Sequence, residues 1–116
     1  MGIDDLKLRT KNFAHRCVKL ATALPNNQLG NHVSGQIIRA ATSVAANYRA
    51  TCLAQSKPAF IAKMSIVLEE TDECAFWLEF IIDENLLNIT QVESLFNESV
   101  ELTKIFAKSR KTARKK

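Results

Sequence analysis

Basic side chains crowd the end of this 116-residue chain, and their chemistry suits the neutralisation of phosphates. Residues 104–116 hold no acidic residue and seven basic ones: Lys104, Lys108, Arg110, Lys111, Arg114, Lys115 and Lys116. Together with Arg39 and Arg49, these seven are the predicted nucleic-acid-binding residues. The alternative is a solvated end whose first cations do no more than favour the C-terminus of a helix.

Clustered carboxylates raise the question of a metal site, but their surroundings in the sequence argue against one. Four acids lie within residues 69–73. A di-metal helical bundle combines such acids with Glu-x-x-His pairs on facing helices, and neither His15 nor His32 follows a glutamate at that spacing. His15 and Cys17 also lack the third partner of a nucleophilic site. We therefore expect no metal, no cofactor and no enzymatic activity.

The cysteines and the hydropathy pattern bear on location. Cys17, Cys52 and Cys74 are odd in number and show no C-x-x-C spacing, which favours reduced thiols in the cytoplasm. The N-terminus has no signal-peptide pattern, and no run approaches the ~20 apolar residues that span a bilayer. A cytoplasmic location without membrane contact is predicted.

Charge is segregated along the chain. Residues 1–63 hold nine basic side chains and two acidic ones, whereas residues 64–103 hold ten acidic side chains and no basic one. Two basic segments thus flank an acidic one. This pattern fits internal pairing between helices, or a basic surface for polyanions.

Composition predicts the fold. Three glycines and two prolines among many alanines, leucines, glutamates and lysines indicate an all-α chain. Apolar periodicity predicts helices over about 5–23, 28–55, 58–84 and 90–109. Short connections make these an antiparallel up-down-up-down four-helix bundle. The predicted division is a bundle over residues 1–109 and a disordered basic tail over 110–116.

Capping residues support two of the helix starts. Pro25 ends the first helix, and Asn26 or Asn27 can cap the second. Thr90 and Glu93 are predicted to form a capping box at the start of the fourth.

The second predicted helix has two distinct faces. One is an ordinary core stripe of Val33, Ile37, Ala40, Ala41, Val44 and Tyr48. The other is small and polar, which suits the close approach of another helix, and consists of Gln36, Arg39, Ser43, Ala46, Asn47 and Ala50. Its polar groups either line a functional groove or satisfy one another or a neighbouring subunit.

The third predicted helix is apolar nearly all round in its second half. Its predicted core seam is Ile61, Met64, Leu68, Thr71, Ala75, Leu78 and Ile82, widened by Phe60, Val67, Cys74 and Ile81. Ile66, Phe76, Trp77 and Phe80 share the outward arc. A chain of this size rarely covers both sides of such a helix, so these four residues are the predicted oligomer interface.

Two motifs resemble a known family, the four-helix bundle proteins encoded in intervening sequences of bacterial 23S rRNA genes. The first is Gln36-x-x-Arg39-Ala40-Ala41-x-Ser43-Val44-x-x-Asn47, which follows Leu24-Pro25. The second is Phe60-Ile61-x-Lys63-Met64-x-Ile66-x-Leu68-Glu69-Glu70-x-x-Glu73, followed by Trp77-Leu78-Glu79. Many members continue the asparagine motif as N-x-x-E-G, whereas this chain has Tyr48-Arg49-Ala50. The chain is therefore a divergent branch that lacks this acidic residue.

The resemblance implies a ring-like homopentamer. The chain is also similar to accessory proteins of diversity-generating retroelements, which form basic pentameric barrels that bind nucleic acid and a reverse transcriptase. The predicted function is a non-enzymatic homo-oligomer that binds RNA or DNA through charge-led phosphate contacts. The alternative is a protein-interaction scaffold or adaptor with no nucleic-acid role.

Overall fold

The computed structural model describes residues 2–115 as four α-helices, without a strand in that part of the chain. The helices are α1 (Ile3–Thr22), α2 (Gln28–Thr51), α3 (Lys57–Asp83) and α4 (Ile89–Lys115). They form a rod of 47 × 20 × 20 Å. The predicted all-α four-helix bundle is confirmed. No helix in the described chain is both long and apolar enough to cross a membrane.

The helices differ in the length over which they pack against their neighbours. Each packs along the next in chain order, whereas α1 and α4 meet over a shorter stretch. Arg9 of α1 bonds Glu98 of α4, and Arg16 bonds Ser94. This antiparallel register brings the start of α1 level with residues near Ile105. Since α1 has 20 residues and α4 has 27, the last turns of α4 continue past α1.

The connections show why the helices begin where they do. The Asn27 side chain accepts a hydrogen bond from the Gly30 amide at 2.8 Å, so the predicted asparagine cap is confirmed. A Cβ on Gly30 would lie 1.9 Å from the carbonyl oxygen of Pro25, so only glycine fits where this turn folds back on α2. The predicted Thr90–Glu93 capping box is wrong: α4 already begins at Ile89, and the Asn88 amide donates to the Gln91 side chain at 3.1 Å.

The core follows the predicted stripes closely on α2 and less closely on α3. All six residues of the predicted α2 stripe are at most 4% exposed. On α3 the buried set is Met64, Val67, Thr71, Cys74, Leu78 and Ile81. Leu68, Ala75 and Ile82, predicted at the centre of the seam, are only half-buried. The centre is shifted because α3 packs between α2 and α4, which cover it from both sides.

The largest departure from prediction is at the C-terminus. α4 does not give way to a disordered tail after Ser109 but continues as helix to Lys115. The half-buried Arg110 donates a 3.4 Å hydrogen bond to Ser65 of α3, which ties these turns to the bundle. Cations in the last turns also suit the negative end of the helix dipole.

Candidate nucleic-acid and oligomer interfaces

Continuation of α4 organises four of the predicted nucleic-acid-binding residues into one row. Their spacing of four, three and four residues places them on one helix face, and all are exposed: Lys104, Lys108, Lys111 and Lys115. We call this row the lysine stripe. It spans roughly 16 Å along the axis. Leu102 and Phe106 are buried on the opposite side of α4.

The two arginines of this region lie beside the lysine stripe. Arg110 is half-buried against Ser65, whereas Arg114, one turn further on, is exposed. Within the described residues, no ion pair shorter than 4 Å involves the lysine stripe. Lys116 lies outside the described residues.

Arg39, in contrast, is exposed but bonds a neighbouring helix of the bundle. Its guanidinium donates to Glu70 at 2.9 Å and also to Glu73, both on α3. Hydrogen bonds to Glu73 and Glu70 raise the pKa of Arg39. Burial opposes the ionisation of Glu73, but hydrogen bonds from Arg39 and Trp77 outweigh it and lower the pKa of that carboxyl. The structure thus separates Arg39 from the lysine stripe and compensates its charge.

Internal pairing also explains part of the basic segment on α1. Arg9 donates to Glu98 at 2.7 Å and lies 3.0 Å from a carboxylate oxygen of Glu101. The side chains of Arg9 and Glu98 are only 20% and 18% exposed. Of the two interpretations of the segregated charge, internal pairing therefore holds for Arg9 and Arg39.

Part of the polar face of α2 is satisfied within the helix. The Asn47 side chain donates to the Ser43 hydroxyl at 2.8 Å and to the Ser43 carbonyl at 2.9 Å. Arg39 on the same face bonds α3 instead. Among the described residues, no buried side-chain nitrogen or oxygen lacks a partner.

The predicted oligomer residues form an aromatic cluster that is partly exposed. The ring centroids of Phe76 and Trp77 are 4.9 Å apart, and those of Trp77 and Phe80 are 5.8 Å apart. Trp77 and Phe80 pack against the core, whereas Phe76 is 53% exposed and Ile66 is 45% exposed. Sequence reasoning thus placed all four on one arc, but only Ile66 and Phe76 face outward.

The exposed face of α3 alternates apolar and acidic residues. We call it the α3 stripe, and its members are Ile66, Glu69, Asp72, Phe76, Glu79 and Asp83. It combines four carboxylates with two large apolar side chains and contains no cation.

A groove between α1 and α2 has the opposite character, and the sequence analysis missed it. It encloses about 880 Å³. Its apolar lining is Leu8, Ala14, Val18, Ala45 and Ala46, and its ionisable lining is Asp4, Lys7, Lys11, His15 and Arg49. The small residues at 45 and 46 were the available signal, because short side chains on the outside of a helix leave room beside it. Arg49, predicted to bind nucleic acid, lies here rather than beside the lysine stripe.

Two of the three thiols are placed for packing rather than chemistry. Cys17 and Cys74 are fully buried, and burial raises the pKa of the Cys17 thiol to about 12. Burial raises the pKa of Cys74 as well. Such thiols stay protonated and poorly nucleophilic. No group of three or more His, Cys, Asp or Glu side chains within residues 2–115 is arranged to hold a metal ion.

The fold and these surfaces define an antiparallel helical bundle with a basic helix end and two unpartnered faces. The chain belongs to the 23S rRNA-intervening sequence protein family, whose model matches residues 5–108. The predicted family resemblance is thereby confirmed. The match stops at Lys108, so Lys111 and Lys115 of the lysine stripe lie beyond it.

A solved structure supports the same assignment. The chain is similar to a protein of unknown function from the S23 ribosomal protein family of Bacteroides thetaiotaomicron, with 38% sequence identity and a TM-score of 0.84. The alignment covers 90% of this chain and 97% of that one. No curated protein matches the chain.

Proposed function

We propose that this protein is a non-enzymatic, homo-oligomeric helical bundle that binds nucleic acid, in particular RNA, through contacts to phosphates. The lysine stripe carries the proposal, because it presents four exposed ammonium groups on one helix face, and none of them has a carboxylate within 4 Å among residues 2–115.

The expected mode of binding follows from the chemistry of the lysine stripe. Lysines neutralise phosphates and release their counterions, so affinity falls steeply with salt. Phosphate contacts position a protein on nucleic acid without reading sequence. Binding is therefore led by charge and shape.

A salt series tests this proposal. Full-length protein and the variant Lys111→Gln/Lys115→Gln are titrated onto duplex DNA and structured RNA. On duplex DNA, the slope of log affinity against log salt should become shallower by about 0.9 for each lysine removed. The control variant Lys19→Gln/Lys63→Gln has the same net charge and should keep the full slope. An absence of binding by the full chain even at low salt would refute the proposal.

The homo-oligomeric part of the proposal is supported by two complementary surfaces. The α3 stripe is apolar and acidic, whereas the α1–α2 groove is apolar with mostly basic ionisable residues along its edges. A contact between the α3 stripe of one copy and the groove of the next is heterologous, and such contacts close into rings when the rotation allows. The resemblance implies five copies.

A scaffold role is the second candidate, favoured by the exposure of Ile66 and Phe76. In that case the α3 stripe binds a different protein through the same apolar and acidic residues.

The proposal includes a cytoplasmic location, which the three unpaired thiols of Cys17, Cys52 and Cys74 favour.

A further inference from the structure

A second apolar cleft lies where α4 extends past the start of α1. It encloses about 720 Å³ between the first turn of α3 and the last turns of α4, with Leu6 of α1 at its edge. The cleft exists because α1 is too short to cover this side of the α3–α4 pair. We call it the α4 cleft.

The lining of the α4 cleft combines apolar side chains with two cations from different helices. Leu6, Phe60 and Ile105 supply the apolar surface, and Phe60 is half-buried. Lys57 of α3 and Lys108 of α4 are both exposed and line the cleft from different helices. The eight lining residues include no carboxylate. A ligand that fits this lining has a flat or apolar body flanked by negative charge.

The lysine stripe extends the cleft's positive charge outward. Lys108 belongs both to the α4 cleft and to the lysine stripe. Lysines three or four residues apart are separated by roughly 4.5–6 Å along the helix axis, so the row presents charges in succession to an extended polyanion. A ligand in the cleft therefore lies beside a row of lysines that can bind further negative charges of the same molecule.

We propose that the α4 cleft takes one unpaired base of a single-stranded nucleic acid whose backbone follows the lysine stripe. The base stacks on Phe60, and the phosphates on either side of it contact Lys57 and Lys108. Aromatic stacking beside a positively charged track is the general mode by which proteins hold single strands without sequence preference. This inference rests on the proposed function and adds the class of nucleic acid.

The charge distribution favours a polynucleotide over other occupants. An acidic amphipathic peptide or an anionic lipid would satisfy the cleft, but neither needs an external row of cations on α4. An intact duplex satisfies the lysine stripe but keeps its bases paired and stacked. Single strands should therefore bind more tightly than the lysine stripe alone explains.

Comparing a base-bearing strand with an abasic strand of equal charge separates the contribution of base stacking from that of phosphate contacts. The full chain is titrated with fluorescent oligouridylate and with an abasic oligonucleotide of the same length at fixed salt. Oligouridylate should bind roughly 5- to 100-fold more tightly, the range expected for stacking of a base on an aromatic ring. Phe60→Leu should remove most of this difference and leave abasic binding unchanged.

A second variant and a control guard against a folding effect. Ala113→Leu fills the cleft from the α4 side without removing a core side chain, and it should also abolish the advantage of oligouridylate. Lys63→Gln lies outside the cleft and should preserve that advantage. Thermal unfolding shows whether each variant is folded.

The outcomes distinguish this inference from the proposed function. Equal binding of the two oligonucleotides by the full chain would overturn the base site and leave phosphate binding intact. Binding of neither would overturn both. Tighter binding of an acidic leucine-rich peptide, lost in Phe60→Leu, would assign the α4 cleft to a protein partner and overturn the inference.

Discussion

The arginines that join neighbouring helices and the lysines at the end of α4 carry the same charge in different surroundings. Arg9 and Arg39 each bond two carboxylates on a neighbouring helix. The lysine stripe faces away from the core, without an ion pair among the described residues. The comparison shows that the cations of this chain fall into two sets: one set joins helices, and the other is exposed without a carboxylate within 4 Å among the described residues.

Neutralising the lysine stripe should produce the largest effect. Replacing all four lysines by glutamine removes up to four phosphate contacts, so we expect affinity for structured RNA to fall by roughly 100-fold or more at low salt. The melting temperature should change little, because relief of repulsion between like charges opposes the loss of favourable interaction with the helix dipole. Fluorescence anisotropy and thermal unfolding measure the two quantities. A variant that binds normally would show that these lysines are only a solvated surface.

The α1–α2 groove also carries cations, and the proposal assigns them to contact with the α3 stripe of a second copy. Measurements of self-association test this role. Ala46→Glu places a carboxylate in the groove, and Phe76→Glu removes an apolar contact from the α3 stripe. Each variant alone should be a monomer by light scattering, with the 13.0 kDa mass of one chain. Gln28→Glu, at an exposed position outside both surfaces, should leave the mass unchanged.

Mixing the two variants distinguishes a heterologous contact from a symmetric one. The intact α3 stripe of Ala46→Glu can still enter the intact groove of Phe76→Glu, so an equimolar mixture should form a dimer and nothing larger. Persistence of the wild-type mass in either single variant would contradict the pairing of these two surfaces.

The sequence predicted the bundle well because its strongest signals are local. The stripe from Val33 to Tyr48 repeats at helical spacing, and burial of that stripe depends little on which helix covers it. The helical end of α4 was missed because residues 110–115 contain few apolar groups. Their order comes with contacts to α3, such as that between Arg110 and Ser65, 45 residues away in the chain.

The candidate site was harder to predict because it depends on contacts between residues that are far apart in the chain. The sequence showed that acidic and basic segments exist, but not that Arg39 bonds Glu70 and Glu73. Nor did it show that the lysine stripe has no carboxylate within 4 Å in the described part of the chain. The spacing of the lysine stripe was readable, but it has structural meaning only if α4 continues. The α1–α2 groove depends on how two helices approach each other, which the periodicity of one helix does not specify.

Removing one of the paired arginines should change stability rather than binding. Arg9→Gln leaves Glu98 largely buried without its guanidinium partner, so we expect a loss of about 1–3 kcal/mol in the free energy of unfolding. Lys19→Gln, on the exposed side of the same helix, should change it by less than about 0.5 kcal/mol. Urea unfolding measures both. A loss no larger than that of the control would mean that the Arg9 pair contributes little.

The smallest expected effect is a pH dependence confined to the paired region. The pKa of Glu73 is lower in the folded chain than in the unfolded one, where a glutamate titrates near 4.3. The stabilisation by its charged form is therefore present above about pH 4.3 and is lost as the pH falls through the lower folded value. The variant Arg39→Gln lacks the guanidinium that favours this charged form, so the stability gap between wild type and variant should narrow between about pH 6 and pH 3.

Urea unfolding across this pH range provides the measurement, and the lysine stripe provides the control. A gap that stays constant down to pH 3 would show that the contact between Arg39 and Glu73 adds nothing to stability. The variant Lys111→Gln/Lys115→Gln should keep a nearly constant difference from wild type, because no ion-paired carboxylate among the described residues lies against these lysines. Acid would then weaken the contacts between the arginines and their carboxylate partners. It would leave the contribution of the outward-facing lysines to stability unchanged.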